Sequence, residues 1–183
     1  MTLFKNKYRI ESARLKGWDY RNPGYYFVTI GTNNREHYFG QIMDGEMHLS
    51  AVGEIAAQCW REIPEHHADV ELDEFVVMPN HVHGIVVIRK PVVETSHATS
   101  LRGNPKMSEI SPKAGSLSTI IRSYKSAVTR FTGLNGFNGF AWQSRFYDHI
   151  LRDENSFNNI RQYIFDNPVK WELDKENPSN LYM

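Results

Sequence analysis

Val76-Val77-Met78-Pro79-Asn80-His81-Val82-His83-Gly84-Ile85-Val86-Val87-Ile88 holds two apolar, strand-type runs on either side of Pro79-Asn80. Pro-Asn is a turn or bulge signal, so residues 70–78 and 81–88 read as antiparallel strands. Side chains alternate along a strand. His81, His83, Ile85 and Val87 therefore share one face, and Val82, Gly84, Val86 and Ile88 the other. Two imidazoles on one face can converge on a divalent cation, and imidazole suits Mn²⁺, Zn²⁺, Co²⁺ or Ni²⁺ better than Mg²⁺. The plain alternative is a pair of hydrogen-bonded structural histidines. Gly84 leaves room for another backbone or a substrate to come close.

Outward from this hairpin the chain reads as an α+β domain. Residues 25–32 are rich in aromatic and β-branched types and read as a strand. Short runs over 38–43 and 46–49 flank the hairpin turn Asp44-Gly45. Ser50 can cap a helix from Ala51 to about Ile63, which Pro64 ends. Ser116 can cap a second helix to about Thr132, with Leu117, Ile120, Ile121, Tyr124, Val128 and Phe131 as its apolar stripe. Residues 141–151 read as a last strand, with Asp148 and Ile150 opposite Tyr147 and His149. Asp153 can cap a helix over 154–166, which Pro168 stops. Strands and helices do not alternate one for one, which disfavours a doubly wound parallel sheet. The expected fold is a ferredoxin-like antiparallel sheet with helices mainly on one face. Residues 1–22 read as a basic arm, 23–177 as one domain and 178–183 as a tail. Within the domain, 89–115 is aperiodic and rich in Pro, Ser, Thr and Gly, and reads as a variable surface insertion.

No apolar run approaches the roughly 20 residues of a membrane span, and the N-terminus lacks the apolar stretch of a secretory signal. Cys59 is the one cysteine, so no internal disulfide can form. These features lead to the expectation of a cytoplasmic protein with no membrane partner. Formal net charge is zero, yet its distribution is polar. Residues 1–21 carry six Lys/Arg against two acids, 102–130 six against one, and 33–76 two against ten. Such segregation suits a basic surface for phosphates, although solvated charge gives the same pattern. The candidates for DNA contact are Arg14, Lys16 and Arg21 on the arm and Arg122 and Lys125 on the second helix. Tyr8, Trp18 and Tyr20 could stack on unpaired bases.

The C-terminal third contributes Gln162-Tyr163-Ile164-Phe165-Asp166-Asn167-Pro168-Val169. Tyr163 and Asn167 stand four apart and share a helix face. They lie beside the stripe Phe157, Ile160 and Ile164, in line with Asn159. A phenol with a pKa near 10 is ionised only to roughly one part in a thousand at neutral pH. A nucleophilic Tyr163 therefore needs a cation or base beside it.

Met78-Pro79-Asn80-His81-Val82-His83-Gly84-Ile85 together with the Tyr163 segment resembles the single-tyrosine HUH transposases, where HUH stands for histidine, hydrophobic, histidine. Within them the chain is most similar to the REP-associated tyrosine transposases. Supporting segments are Gly24 to Ile30, Glu71 to Met78 and Trp142 to Ile150. The resemblance runs from about Arg14 to Asn177, with the insertion at 89–115 interrupting it. It implies a metal-dependent strand transferase acting on single-stranded or hairpin DNA. Tyr163 would attack a phosphodiester, form a 5′-phosphotyrosine and free a 3′-OH, and a second 3′-OH would then rejoin the strands. His81 and His83 would hold a divalent ion, Mg²⁺ or Mn²⁺. Asn167 would stand where the family places its third ligand, although a neutral amide is a weak one. The bond energy stays in the phosphotyrosine, which fits the absence of a Gly-x-x-x-x-Gly-Lys loop. Relatives work as homodimers, with the tyrosine serving the partner's histidines, or as monomers. The competing readings are a domesticated, catalytically silent hairpin-DNA-binding protein and a nucleotidyl hydrolase with a histidine nucleophile. The hydrolase would want a third histidine where Ile85 stands. His149 could touch DNA or support the site, or be a satisfied structural residue.

Overall fold

A computed structural model describes residues 15, 17–89 and 114–176. Arg14, Lys16, Tyr8, the tail and all but the ends of the insertion lie outside the described residues. The elements run β1 (Gly24–Gly31), β2 (Gly40–Met43), β3 (Glu46–Leu49), α1 (Ala51–Arg61), α2 (Ile63–His66), β4 (Val70–Met78), β5 (His81–Ile88), α3 (Leu117–Leu134), β6 (Tyr147–Leu151) and α4 (Glu154–Glu176). Four strands form one antiparallel sheet in the order β4-β5-β1-β6, and β2 and β3 form a separate hairpin. Each half is a split β-α-β unit: α1 links β1 to β4 with β5 between them, and α3 links β5 to β6 with β1 between them. This is the ferredoxin-like arrangement the sequence implied.

The sheet separates two cores. Tyr26, Val28 and Ile30 of β1 and Val82, Val86 and Ile88 of β5 pack under α1 and α3, with Trp60 and Tyr124 at the centre. Phe27, Ile85, Val87 and Leu151 take the opposite face, under Ile164 of α4. Two long helices thus share one face, and the C-terminal helix lies on the face that carries the histidines. Ser50 caps α1 by accepting from the Gly53 amide, as its position suggested. Asp44 and Gly45 both have positive φ, as a two-residue hairpin turn between twisted strands requires.

Gly84 has a different use from the close approach of a substrate. It points to the α1 side, where an added Cβ would overlap the fully buried Trp60 ring and the Phe75 Cβ. Neither neighbour can give way within a packed core. Gly84→Ala is expected to lower stability by about 1–3 kcal/mol, the usual cost of overpacking, read as an earlier urea midpoint with an unchanged slope.

Four other readings of the sequence need correction. Residues 18–22 belong to the body of the domain. Tyr20 is buried in the α1/α3 core, its carbonyl accepts from the Leu117 amide, and Trp18 Nε1 donates to Tyr26 Oη at 3.2 Å. Trp18 and Tyr20 are therefore committed to packing and not offered to bases. The last strand is shorter than expected, Tyr147–Leu151. Trp142 keeps one bridge to Thr32, and its ring turns into an aromatic cluster with Phe39, Tyr124 and Phe140, which takes the chain off the ladder. Pro64 does not close α1 but sits in the first turn of α2, where a missing N–H costs nothing.

Pro168 does not stop the last helix, which continues to Glu176. A proline leaves the carbonyl four residues earlier without its donor. The continuation is held from both sides. Trp171, one turn beyond, is buried against His37 and His81, and the Lys170–Asp166 ion pair at 2.9 Å spans the proline.

Candidate active site

β5 enters the sheet at His81, immediately after the two-residue loop Pro79-Asn80. Both histidines point to the α4 side and are buried, at 3% and 4% exposure. Their ring centroids lie 4.3 Å apart. Register decides what stands opposite them on β1: Thr29 faces His83 and Gly31 faces His81. α4 lays a stripe of Tyr163, Asn167 and Trp171, spaced by fours, across this pair.

Tyr163 Oη comes within 3.3 Å of His83 Nε2. The phenol ring meets Phe27 edge-on at 6.1 Å, and Phe27 stacks on His83 at 5.3 Å, so one apolar side chain orients both rings. Asn167 is 1% exposed, one helical turn on. Trp171 tilts over His81 at 6.0 Å and closes that end. The Arg161–Asp73 ion pair at 2.8 Å ties α4 to β4 at the bulge between Leu72 and Phe75. Of the residues the sequence put forward, His81, His83 and Tyr163 are in contact, and Asn167 lies buried one turn further along α4.

Burial sets the charge of the pair. It pushes His81 down to about 3, with Arg35 and then His37 adding repulsion. Burial likewise holds His83 well below the usual imidazole range, with His81 adding to it. Both rings are neutral at physiological pH, the form that ligates a metal or accepts a proton.

Three polar atoms here are buried without a hydrogen-bond partner: His81 Nε2, Asn167 Oδ1 and Asn167 Nδ2. Each unmade bond to a buried polar group costs on the order of 1–3 kcal/mol. A cation would relieve two of them, the imidazole nitrogen and the amide oxygen. The donor set of two imidazoles and one amide fits a divalent ion that keeps open positions for phosphate and water. Among the described residues no three of His, Cys, Asp and Glu come together as a metal-holding group, so any such ion would depend on the amide as third ligand.

The expected DNA contacts lie elsewhere. Arg122 is exposed on α3, and α3 covers the other face of the sheet. Lys125, also on α3, donates from Nζ to the Gln143 carbonyl at 2.6 Å and lies near the Trp142 ring. Its partial burial lowers its pKa. Arg21 is paired with Asp19 at 2.7 Å. None of the three is brought to the histidines. His149 is exposed and pairs with Phe27 at the edge strand β6, so it shares the histidines' face but stands outside their cluster.

Thr29, Asn80 and Trp171 were missed. Thr29 Oγ1 lies 2.8 Å from His83 Nδ1, and Asn80 Oδ1 lies 2.7 Å from His81 Nδ1. Asn80 had a signal, adjacency to the pair. Thr29 became visible only through strand register, and Trp171 was hidden behind the proline.

No family model matches the sequence. An uncharacterized protein of Haemophilus influenzae is 38% identical over 166 residues, which is 90% of this chain and 91% of that protein. Among solved structures, a REP-associated tyrosine transposase bound to a REP hairpin superposes with a TM-score of 0.56 at 20% identity, over 88% of this chain and 74% of that one. At that identity the likeness establishes a shared transposase-like fold.

Proposed function

We propose that this chain, which belongs to the same family as the uncharacterized Haemophilus influenzae protein, is a transposase-like DNA strand transferase using Tyr163 as its nucleophile. The observation that carries the proposal is the phenol 3.3 Å from a neutral, buried imidazole, beside buried histidine and amide atoms that lack partners. A structural tyrosine on a structural histidine leaves those three orphans unexplained.

In the reaction, Tyr163 Oη forms a bond to the phosphorus of a phosphodiester. The bond from phosphorus to the 3′-oxygen breaks, the phenolic proton is given up, and the leaving oxygen takes a proton to become a 3′-OH. With an ion on its Nε2, His83 has no lone pair left for a proton, so the phenolic proton passes to solvent, and Phe27 keeps the attacking ring in line. His81, His83 and Asn167 would hold a divalent ion, Mg²⁺ or Mn²⁺, which would neutralise charge on the phosphate. The phosphotyrosine preserves the bond energy for a second strand's 3′-OH. The REP hairpin bound by the solved relative supports hairpin-flanked single strands as the substrate class. A homodimer belongs to the proposal only as an arrangement to be measured.

Labelled hairpin oligonucleotides with single-stranded flanks, incubated with Mn²⁺ or Mg²⁺ and run on a denaturing gel, test this. The expected result is a protease-sensitive shifted band that chelator removes. Binding to the same hairpins with no band in either metal would instead favour the catalytically silent hairpin-DNA-binding protein.

A further inference from the structure

We propose that Thr29 and Asn80 are positioning residues that fix both histidines in one tautomer, with the proton on Nδ1 and the Nε2 lone pair facing the site. The tautomer assignment stands on hydrogen bonding alone; its use in holding a metal rests on the function proposed above.

For His81 the chain of bonds leaves one answer. Asn80 Nδ2 donates to the Arg35 carbonyl at 3.3 Å, which identifies the nitrogen end of the amide. The other end, Oδ1, can only accept, and it lies 2.7 Å from His81 Nδ1. Nδ1 must therefore carry the proton, and Nε2 is bare. Asn80 is itself held, because its own carbonyl accepts from the Thr32 amide at 2.9 Å, and Thr32 Oγ1 lies between that carbonyl and the nearer Glu36 carbonyl at 2.7 Å. The isolated Thr32–Trp142 bridge anchors that threonine in turn.

For His83 the order of acidities decides. Its two nitrogens face hydroxyls, Thr29 Oγ1 at 2.8 Å from Nδ1 and Tyr163 Oη at 3.3 Å from Nε2. A phenol is a far stronger acid than an aliphatic alcohol, so the phenol donates to Nε2 and Nδ1–H donates to Thr29. The same register that pairs Thr29 with His83 thus also turns the bare Nε2 toward the site and the phenol. The tautomer of a histidine is set by the bond its other nitrogen makes, and such outer partners typically change metal affinity 10- to 100-fold.

The test is a long-range ¹H–¹⁵N spectrum of the histidine side chains in metal-free, DNA-free protein at pH 7.5. His81 and His83 are both expected to show a protonated Nδ1 and a bare Nε2; a proton on Nε2 of either ring overturns the inference. Because no DNA is present, the spectra hold or fail independently of strand transfer. Thr29→Val should release His83 alone into mixed tautomers and Asn80→Leu should release His81 alone. Each should weaken Mn²⁺ binding, read from free-ion paramagnetic resonance, by about 10- to 100-fold, while Thr29→Ser restores both readouts. Spectra and Mn²⁺ affinity unchanged in Thr29→Val and Asn80→Leu would reduce both residues to packing.

Discussion

Tyr163→Phe is expected to abolish the covalent protein–DNA adduct while leaving hairpin affinity within a factor of about two. The substitution removes one oxygen and keeps the ring. Packing against Phe27 and His83 is therefore preserved, along with the seat on Ile164's side of the sheet. The half-buried hydroxyl meets His83 Nε2. Losing it leaves that nitrogen without its phenol, a cost of on the order of 1–3 kcal/mol that a modest shift in melting temperature would register. Activity should change on another scale. Removing a nucleophile that forms the bond leaves only background reaction, a drop of roughly 10³-fold or more. An adduct that survives in the Phe variant would move the nucleophile to another residue and take the assignment of Tyr163 with it. A dimer that shares sites between subunits adds a check. Mixing Tyr163→Phe with a His81→Ala, His83→Ala double variant restores adduct only where tyrosine and histidines come from different chains. The short Tyr163–His83 distance within one chain predicts no restoration.

The fold was legible where local chemistry and tertiary demand agreed. β4 and β5 meet at the Pro-Asn loop the sequence marked, and β5 is buried throughout because it is a central strand covered on both faces. The sequence erred where packing overrode a local signal. Pro168 says stop, but Trp171 lies on the far side of it and has a buried seat between two histidines. Residues 141–146 look like a strand, but Trp142 belongs to a ring cluster under the sheet. Gly84 looks like a concession to substrate and is a concession to Trp60. The candidate site was legible as a list of side chains, since two histidines on one strand face and a tyrosine with an asparagine one turn on are periodic facts. What orients them was not. Thr29 lies 54 residues from His83 in sequence, and only the pairing of β1 with β5 makes them neighbours.

Acid should unfold this protein unusually early, and the same buried pair is the reason. His81 and His83 are held neutral in the folded state, far below the value near 6.5 that an unfolded chain allows. The unfolded chain therefore binds more protons as pH falls, and stability rises with pH. The contribution is complete above about pH 7. It begins to be lost as pH drops through 6.5 and continues to be lost down to about 3 for His81. Such a histidine costs about 1.4 kcal/mol per pH unit inside its window, so His81 removes about 2 kcal/mol between pH 7 and pH 5, and His83 adds to it in the same direction. That is an appreciable part of the roughly 5–15 kcal/mol typical of a domain. His67, also lowered by burial, adds in the same direction. The depressed carboxyls of Asp153, Asp166 and Glu71 act below this range, because their unfolded values are already near 4. Urea unfolding at pH 7, 6 and 5 in chelator reads the slope directly. A His81→Gln, His83→Gln variant should flatten it by about 2 kcal/mol or more over the two units. Equal slopes in the two proteins would mean that the histidines take up protons without unfolding, and would contradict the neutral pair that the proposed metal binding needs.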